Sequence, residues 1–113
     1  MAKLTTKIRK INPSTSVIDI HGEVTGAAEN ALMDAYSQAA HDNPRTIVLN
    51  FGGLDYMNSS GIGLLVTLLI RVQRQKQRLL AYGLSDHYQQ IFALTRLNEV
   101  IGIFQSEAEA LAA

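Results

Sequence analysis

The sequence contains no cysteine. That excludes a disulfide framework and thiol chemistry, and it fits a reducing compartment without requiring one. A net charge is missing as well, because ten Lys and Arg side chains balance ten Asp and Glu. Such a surface is not built for indiscriminate binding to nucleic acid or anionic membrane. Long apolar runs are absent. The longest, Ile62 to Ile70, is broken by Thr67 and is too short to span a bilayer. The opening residues Met1 to Lys10 lack the apolar stretch of a secretory signal, so a soluble, cytoplasmic protein with no membrane partner is expected. No GxGxxG, Walker loop or CxxC occurs, and Gly61-x-Gly63 is too short to cradle a phosphate. His21, His41 and His87 are scattered without metal-ligand spacing. No metal, no cofactor and no enzyme activity are expected, since no set of acid, base and nucleophile stands out.

What is present suits one ordinary domain over residues 1–113. Hydrophobic residues make up 47% of the 113, enough for a core and against disorder. No repeat, low-complexity tract or linker divides the chain. Leu4 to Ile11 reads as a strand whose three basic residues suit an exposed sheet edge. Asn12-Pro13-Ser14 is a turn signal. Ser16 to His21 alternates as a half-buried strand does, with Gly22 ending it. Ala27 to Ala40 reads as a helix, with Ala28, Leu32, Ala35, Tyr36 and Ala39 on one face and Thr25 or Gly26 as cap. Thr46 to Phe51 is a continuously apolar strand, and Gly52-Gly53 reads as a turn. Ser60 to Gln75 is a second helix, apolar nearly all round in its first half and therefore expected to be deeply buried.

Leu79 to Leu84 reads as a further strand. Asp86 to Leu97 reads as a third helix capped by Ser85 or Asp86, with Ile91, Leu94 and Leu97 on one face. Gly102-Ile103-Phe104 is a brief strand, and Ser106 to Ala112 a short helix with Glu109 three residues after its candidate cap. The order β-β-α-β-α-β-α-(β)-α implies an α/β fold. Its mixed sheet of four to five strands pairs mainly in parallel, apart from an antiparallel first pair, and is packed by about four helices.

The most informative segment is Asp55-Tyr-Met-Asn-Ser-Ser-Gly-Ile-Gly-Leu64, where a strand hands over to the apolar second helix. If Ser59 or Ser60 is the N-cap, its oxygen satisfies one orphan amide, worth roughly 1 kcal/mol. A hydroxyl there is equally placed for phosphorylation, which adds about −1.5 to −2 charge at neutral pH. A helix N-terminus tolerates that charge, so the surface can change sign while the fold survives. Gly61 and Gly63 should leave the turn uncrowded for a partner's backbone. Physical grounds do not separate Ser59 from Ser60. The cations Arg71, Arg74, Lys76 and Arg78 read first as charges favoured at a helix C-terminus, since no aromatic residues interleave with them as nucleic-acid binding would require. A receiver domain shares the size and alternation, but Asn50 stands where its aspartate belongs and paired acids are absent. A Ser-His-Asp hydrolase lacks its G-x-S-x-G elbow.

Asn58-Ser-Ser-Gly-Ile-Gly-Leu-Leu65, following an apolar strand, resembles the signature of the STAS family of anti-sigma factor antagonists. Gly22-Glu-Val-Thr25 resembles that family's other characteristic turn. The tail, with Ile91-Phe92-Ala-Leu94, then Ile103-Phe104 and a short helix, extends the similarity over essentially the whole chain. The resemblance implies a single STAS domain that is phosphorylated on the serine before the glycine, Ser60, with Ser59 as the alternative. It implies a partner surface of Gly22, Glu23, Thr25, Asn58, Ser59, Ser60, Gly61 and Ile62. It further implies that the unphosphorylated protein binds an anti-sigma factor that is also a serine kinase, and that a PP2C-type phosphatase reverses the modification. Well-known members carry aspartate in place of Asn58 and often in place of Thr25, a difference in rim charge that bears on partner choice. The other role open to the chain is that of a scaffold subunit in a larger signalling assembly, with serines that only cap.

Overall fold

The computed structural model describes residues 3–113; Met1 and Ala2 lie outside the described residues. Strands β1 (Thr5–Asn12) and β2 (Thr15–Val24) form an antiparallel hairpin turned at Pro13. A 3-10 turn over Gly26–Ala28 leads into α1 (Glu29–Ala39). There follow β3 (Thr46–Met57), α2 (Ser59–Arg74), β4 (Arg78–Tyr82), α3 (Asp86–Leu94), β5 (Gly102–Phe104) and α4 (Glu107–Ala112). The five strands lie side by side in chain order, β1-β2-β3-β4-β5, parallel everywhere except β1–β2. The expected α/β architecture is therefore present, with β1 at a sheet edge.

Strictly sequential order has a steric consequence. Each β-α-β crossover steps the same way across the sheet, so right-handed connections put α1, α2 and α3 on one face. That face holds the main core, built from Ile18, Ile20, Leu49 and Phe51 of the sheet against Leu32, Leu65, Leu68 and Phe92 of the helices. Phe51 and Phe92 meet edge to face with ring centroids 6.3 Å apart. Among the described residues, α4 is the one helix packed on the opposite face. Val17, Val48, Leu80 and Ala110 make a smaller cluster there, and the remaining space is filled by polar groups. Arg9 donates to both carboxylate oxygens of Asp19, at 2.8 and 2.9 Å, and also to Glu107 and to the Tyr82 hydroxyl. Asn50 completes the shell of Asp19 with a 2.8 Å hydrogen bond.

Several expected boundaries are corrected. Gly22 does not end β2, and Gly52-Gly53 does not turn the chain. Both strands continue as a bulged ribbon to Val24 and Met57, with register shifts between Asp19 and His21 and between Gly22 and Glu23. Two bulges add twist without surrendering the ladder, so glycines that resemble turn residues sit inside it. The third helix stops at Leu94 rather than Leu97, and Leu94 is 85% exposed while Phe92 is buried. Arg96, at φ 61°, reverses the chain and returns Leu97 to the core from outside the helix. Helix α2 is not buried all round either: Val66 and Ile70 are 40% and 44% exposed. The capping box of α4 forms as expected, with the Glu109 amide donating to Ser106 Oγ.

Candidate functional site

The ribbon formed by the ends of β2 and β3 positions the site. It carries Gly22-Glu-Val-Thr25 and Asn58-Ser-Ser-Gly61 to the same end of the sheet, the end at which parallel strands hand over to helices. Their contact is direct. The Asn58 amide donates to the Val24 carbonyl at 3.3 Å, and the Cα of Gly26 faces Ser60 closely enough that an added Cβ would lie 3.4 Å from Ser60 Cβ. The 3-10 turn after Thr25 and the first turn of α2 thus form one surface.

Asn58 caps α2. It is extended, at φ −104° and ψ −177°, and its Oδ1 accepts the Gly61 amide at 2.9 Å. The expected cap, Ser59 or Ser60, is corrected: both serines lie within the first turn, exposed, as its first two residues. β3 runs on to Met57, so the first residue free of the ladder is Asn58, and it takes the capping position. Thr25 does cap, accepting the Ala27 amide at 3.3 Å, but it caps the 3-10 turn rather than α1 itself.

The two glycines of these motifs face inward. Gly22 is buried at φ +102°, and a Cβ there would lie 2.0 Å from the Lys3 carbonyl oxygen. At Gly61 a Cβ would lie 1.9 Å from the Val24 carbonyl oxygen. Gly61 therefore lets α2 dock on the end of β2, which corrects the expectation that it leaves room for a partner. Gly63 does leave room: it is exposed, with nothing within 4 Å of an added Cβ. Around it run half-buried Ile62 and exposed Val66 and Ile70, an apolar stripe at four-residue steps continuous with Ser59. Gly63 was expected from sequence to leave room for a partner, Gly26 only as a helix cap, and Val66 and Ile70 were not expected at this surface. The four-residue spacing was the available signal, hidden because the helix is apolar on its other faces too.

The chemistry on offer is recognition. Glu23 and Thr25 are half-buried beside the serines. The Met57 amide is held by the Tyr88 hydroxyl at 2.8 Å, which steadies the approach to the cap. His21, His41 and His87 are exposed. Among the described residues no three metal-ligand side chains come together, and no helix is long and apolar enough to cross a membrane.

Residues 6–110 match the family model described as STAS domain. The chain is 26% identical over 86 residues to the anti-sigma-B factor antagonist of Staphylococcus aureus, covering 76% of this chain and 80% of that one. It superposes on the crystal structure of an anti-sigma factor antagonist from Mycobacterium paratuberculosis with a TM-score of 0.81 at 18% identity, over 97% of this chain and 92% of the other. Its TM-score with the Bacillus cell fate determinant SpoIIAA in the phosphorylated form is 0.72 at 24% identity, over 96% of this chain and 97% of that one.

Proposed function

The chain belongs to the STAS domain family, and from that membership we propose that it is an anti-sigma factor antagonist switched at Ser60. Unphosphorylated, it binds an anti-sigma factor that is also a serine kinase, and a sigma factor is released. Phosphate on Ser60 breaks that contact, and a PP2C-type phosphatase restores it. The protein works as a cytoplasmic binding switch and not as an enzyme.

One observation carries this reading. Ser60 is exposed on the first turn of α2 while Asn58 does the capping, so its hydroxyl has no cap bond to lose. Helix capping therefore does not account for either serine. The amides of Ser59 and Ser60 have no intrahelical acceptor, and the helix dipole favours an anion beside them. A phosphate is therefore compatible with the fold. It is incompatible with an apolar partner seated on Gly63, Val66 and Ile70, because burying a dianion without paired cations is costly.

The test is a pull-down of the cognate anti-sigma factor with circular dichroism alongside. Ser60→Asp should keep the native spectrum and weaken binding by about tenfold or more, while Ser60→Ala binds as the parent does. Parental binding by both variants sinks the switch at this residue. Intact mass after incubation with the partner and ATP should show one phosphate, mapped to Ser60.

A further inference from the structure

At the other end of β3 from Ser60 the sheet opens into a cleft of about 870 Å³. The cleft is lined by Ser14 and Thr15 where the β1–β2 turn enters β2, by Arg45 at the entrance to β3, and by Lys76 after α2 with Arg78 at the start of β4. Three cations line the cleft and no Asp or Glu does, while the backbone oxygen of Ala113 lies at its edge against Arg78. The ion pairs of the described residues engage Arg9, Lys10 and Arg96, and none of these three.

The end of α2 does not account for these charges. Arg71 and Arg74 already occupy its last turn, where cations meet the macrodipole. Its final carbonyls are filled: Gln75 donates to Arg71, Lys76 to Gln73 and Gln77 to Val72, which is the Schellman closure. Lys76 and Arg78 come after that closure, and Arg45 arrives from a different loop. Lys76 also sits at φ 58° in the position that closure reserves for glycine. Arg78 is fixed in place, its Nε donating to Thr46 Oγ1 at 2.9 Å and one Nη to the backbone oxygen of Ala113, the last residue of the sequence, at 2.6 Å. Three of the five guanidinium donors remain for a ligand.

We propose that this cleft binds a small phosphorylated ligand through a diphosphate-type group held by Arg45, Lys76 and Arg78, with the Ser14 and Thr15 hydroxyls as further donors. The concavity has the volume of a small-molecule site. It contains no aromatic ring on which a base would stack. Three cations brought to one cleft from separate segments exceed what a lone carboxylate needs and match an anion of higher charge.

Titration of the isotope-labelled full chain with pyrophosphate at low salt, followed by amide NMR, tests this. Saturable shifts are expected at Ser14, Thr15, Arg45, Lys76 and Arg78, with Ser60 and Gly61 unmoved and affinity falling as salt rises. Lys76→Gly removes the ammonium and keeps the left-handed turn. Combined with Arg45→Ala, and shown to be folded by circular dichroism, it should bind about tenfold more weakly or worse, whereas Lys7→Ala binds as the parent does. Three results overturn the site: no shifts at millimolar pyrophosphate, undiminished binding by the double variant, or a stronger response to an oligoglutamate peptide or a single-stranded oligonucleotide. The outcome is independent of the Ser60 switch.

Discussion

Two residues of the switch segment, three positions apart, do different structural jobs, and mutation separates them. Asn58 supplies a cap bond to the Gly61 amide. Asn58→Ala should therefore cost about 1 kcal/mol. Gly61 supplies space: the methyl of Gly61→Ala would meet the Val24 carbonyl at 1.9 Å, and neither partner is a side chain that can swing away. That variant should lose about 3 kcal/mol. Urea unfolding midpoints check the ranking, and equal losses in the two variants would refute the assignment. At this scale the sequence was only partly legible. Asn58, Ser59 and Ser60 are all competent caps. Choosing among them needs the last residue of β3, and the bulges that carry β3 past Gly52-Gly53 leave no local mark. The serines were correctly placed at the start of α2, but the capping role expected of them belongs to Asn58, one position before Ser59 and two before Ser60.

Helix α2 shows what an apolar sequence hides at the scale of an element. Its inner face, with Leu65, Leu68 and Val72, is fully buried against the sheet, while Val66 and Ile70 stand partly exposed in line with Ser59. Periodicity identifies a buried stripe only when polar residues outline it, and here they do not. Substitution reveals the division of labour. Val66→Asp and Ile70→Asp should each leave the unfolding midpoint within about 0.5 kcal/mol of the parent while weakening anti-sigma factor binding about tenfold. Undiminished binding by both variants in the pull-down would remove the stripe from the contact surface. Helix α3 was misread for a related reason. Ile91, Leu94 and Leu97 have helical spacing, but the helix ends at Leu94, and the left-handed Arg96 then delivers Leu97 inward. Nothing in the spacing announces that reversal. By contrast, the buried face of α1 and the cap of α4 agree with their sequence patterns, because there local preference and burial point the same way.

For the molecule as a whole, stability at acid pH should follow the polar face of the sheet. The Asp19 carboxyl is held below its ordinary value of 3.8, chiefly by the hydrogen bonds from Arg9, with a further one from Asn50, against the opposing effect of its burial. Its contribution is complete above that ordinary value and is lost as pH falls through it toward the lower folded value. Urea unfolding should show flat stability from neutrality down to about pH 5 and a decline below it. Asp19→Asn should cost about 2 kcal/mol at neutral pH and show a shallower acid decline. An equally steep decline in that variant would place the acid sensitivity elsewhere. Element order and pairing were legible at this scale because alternation and turn chemistry determine them. The Arg9–Asp19–Glu107 grouping was not, since its members lie 10 and 98 residues apart in sequence from Arg9. The same sequential sheet bears on how the chain acquires its structure. Every strand pairs with the one made just before it, so a nascent polypeptide leaving the ribosome can extend the sheet one strand at a time. The hairpin of β1 and β2 serves as the first template. The switch segment matures only when β3 has run its full length beside β2, so the surface a partner reads forms after the part of the fold that supports it.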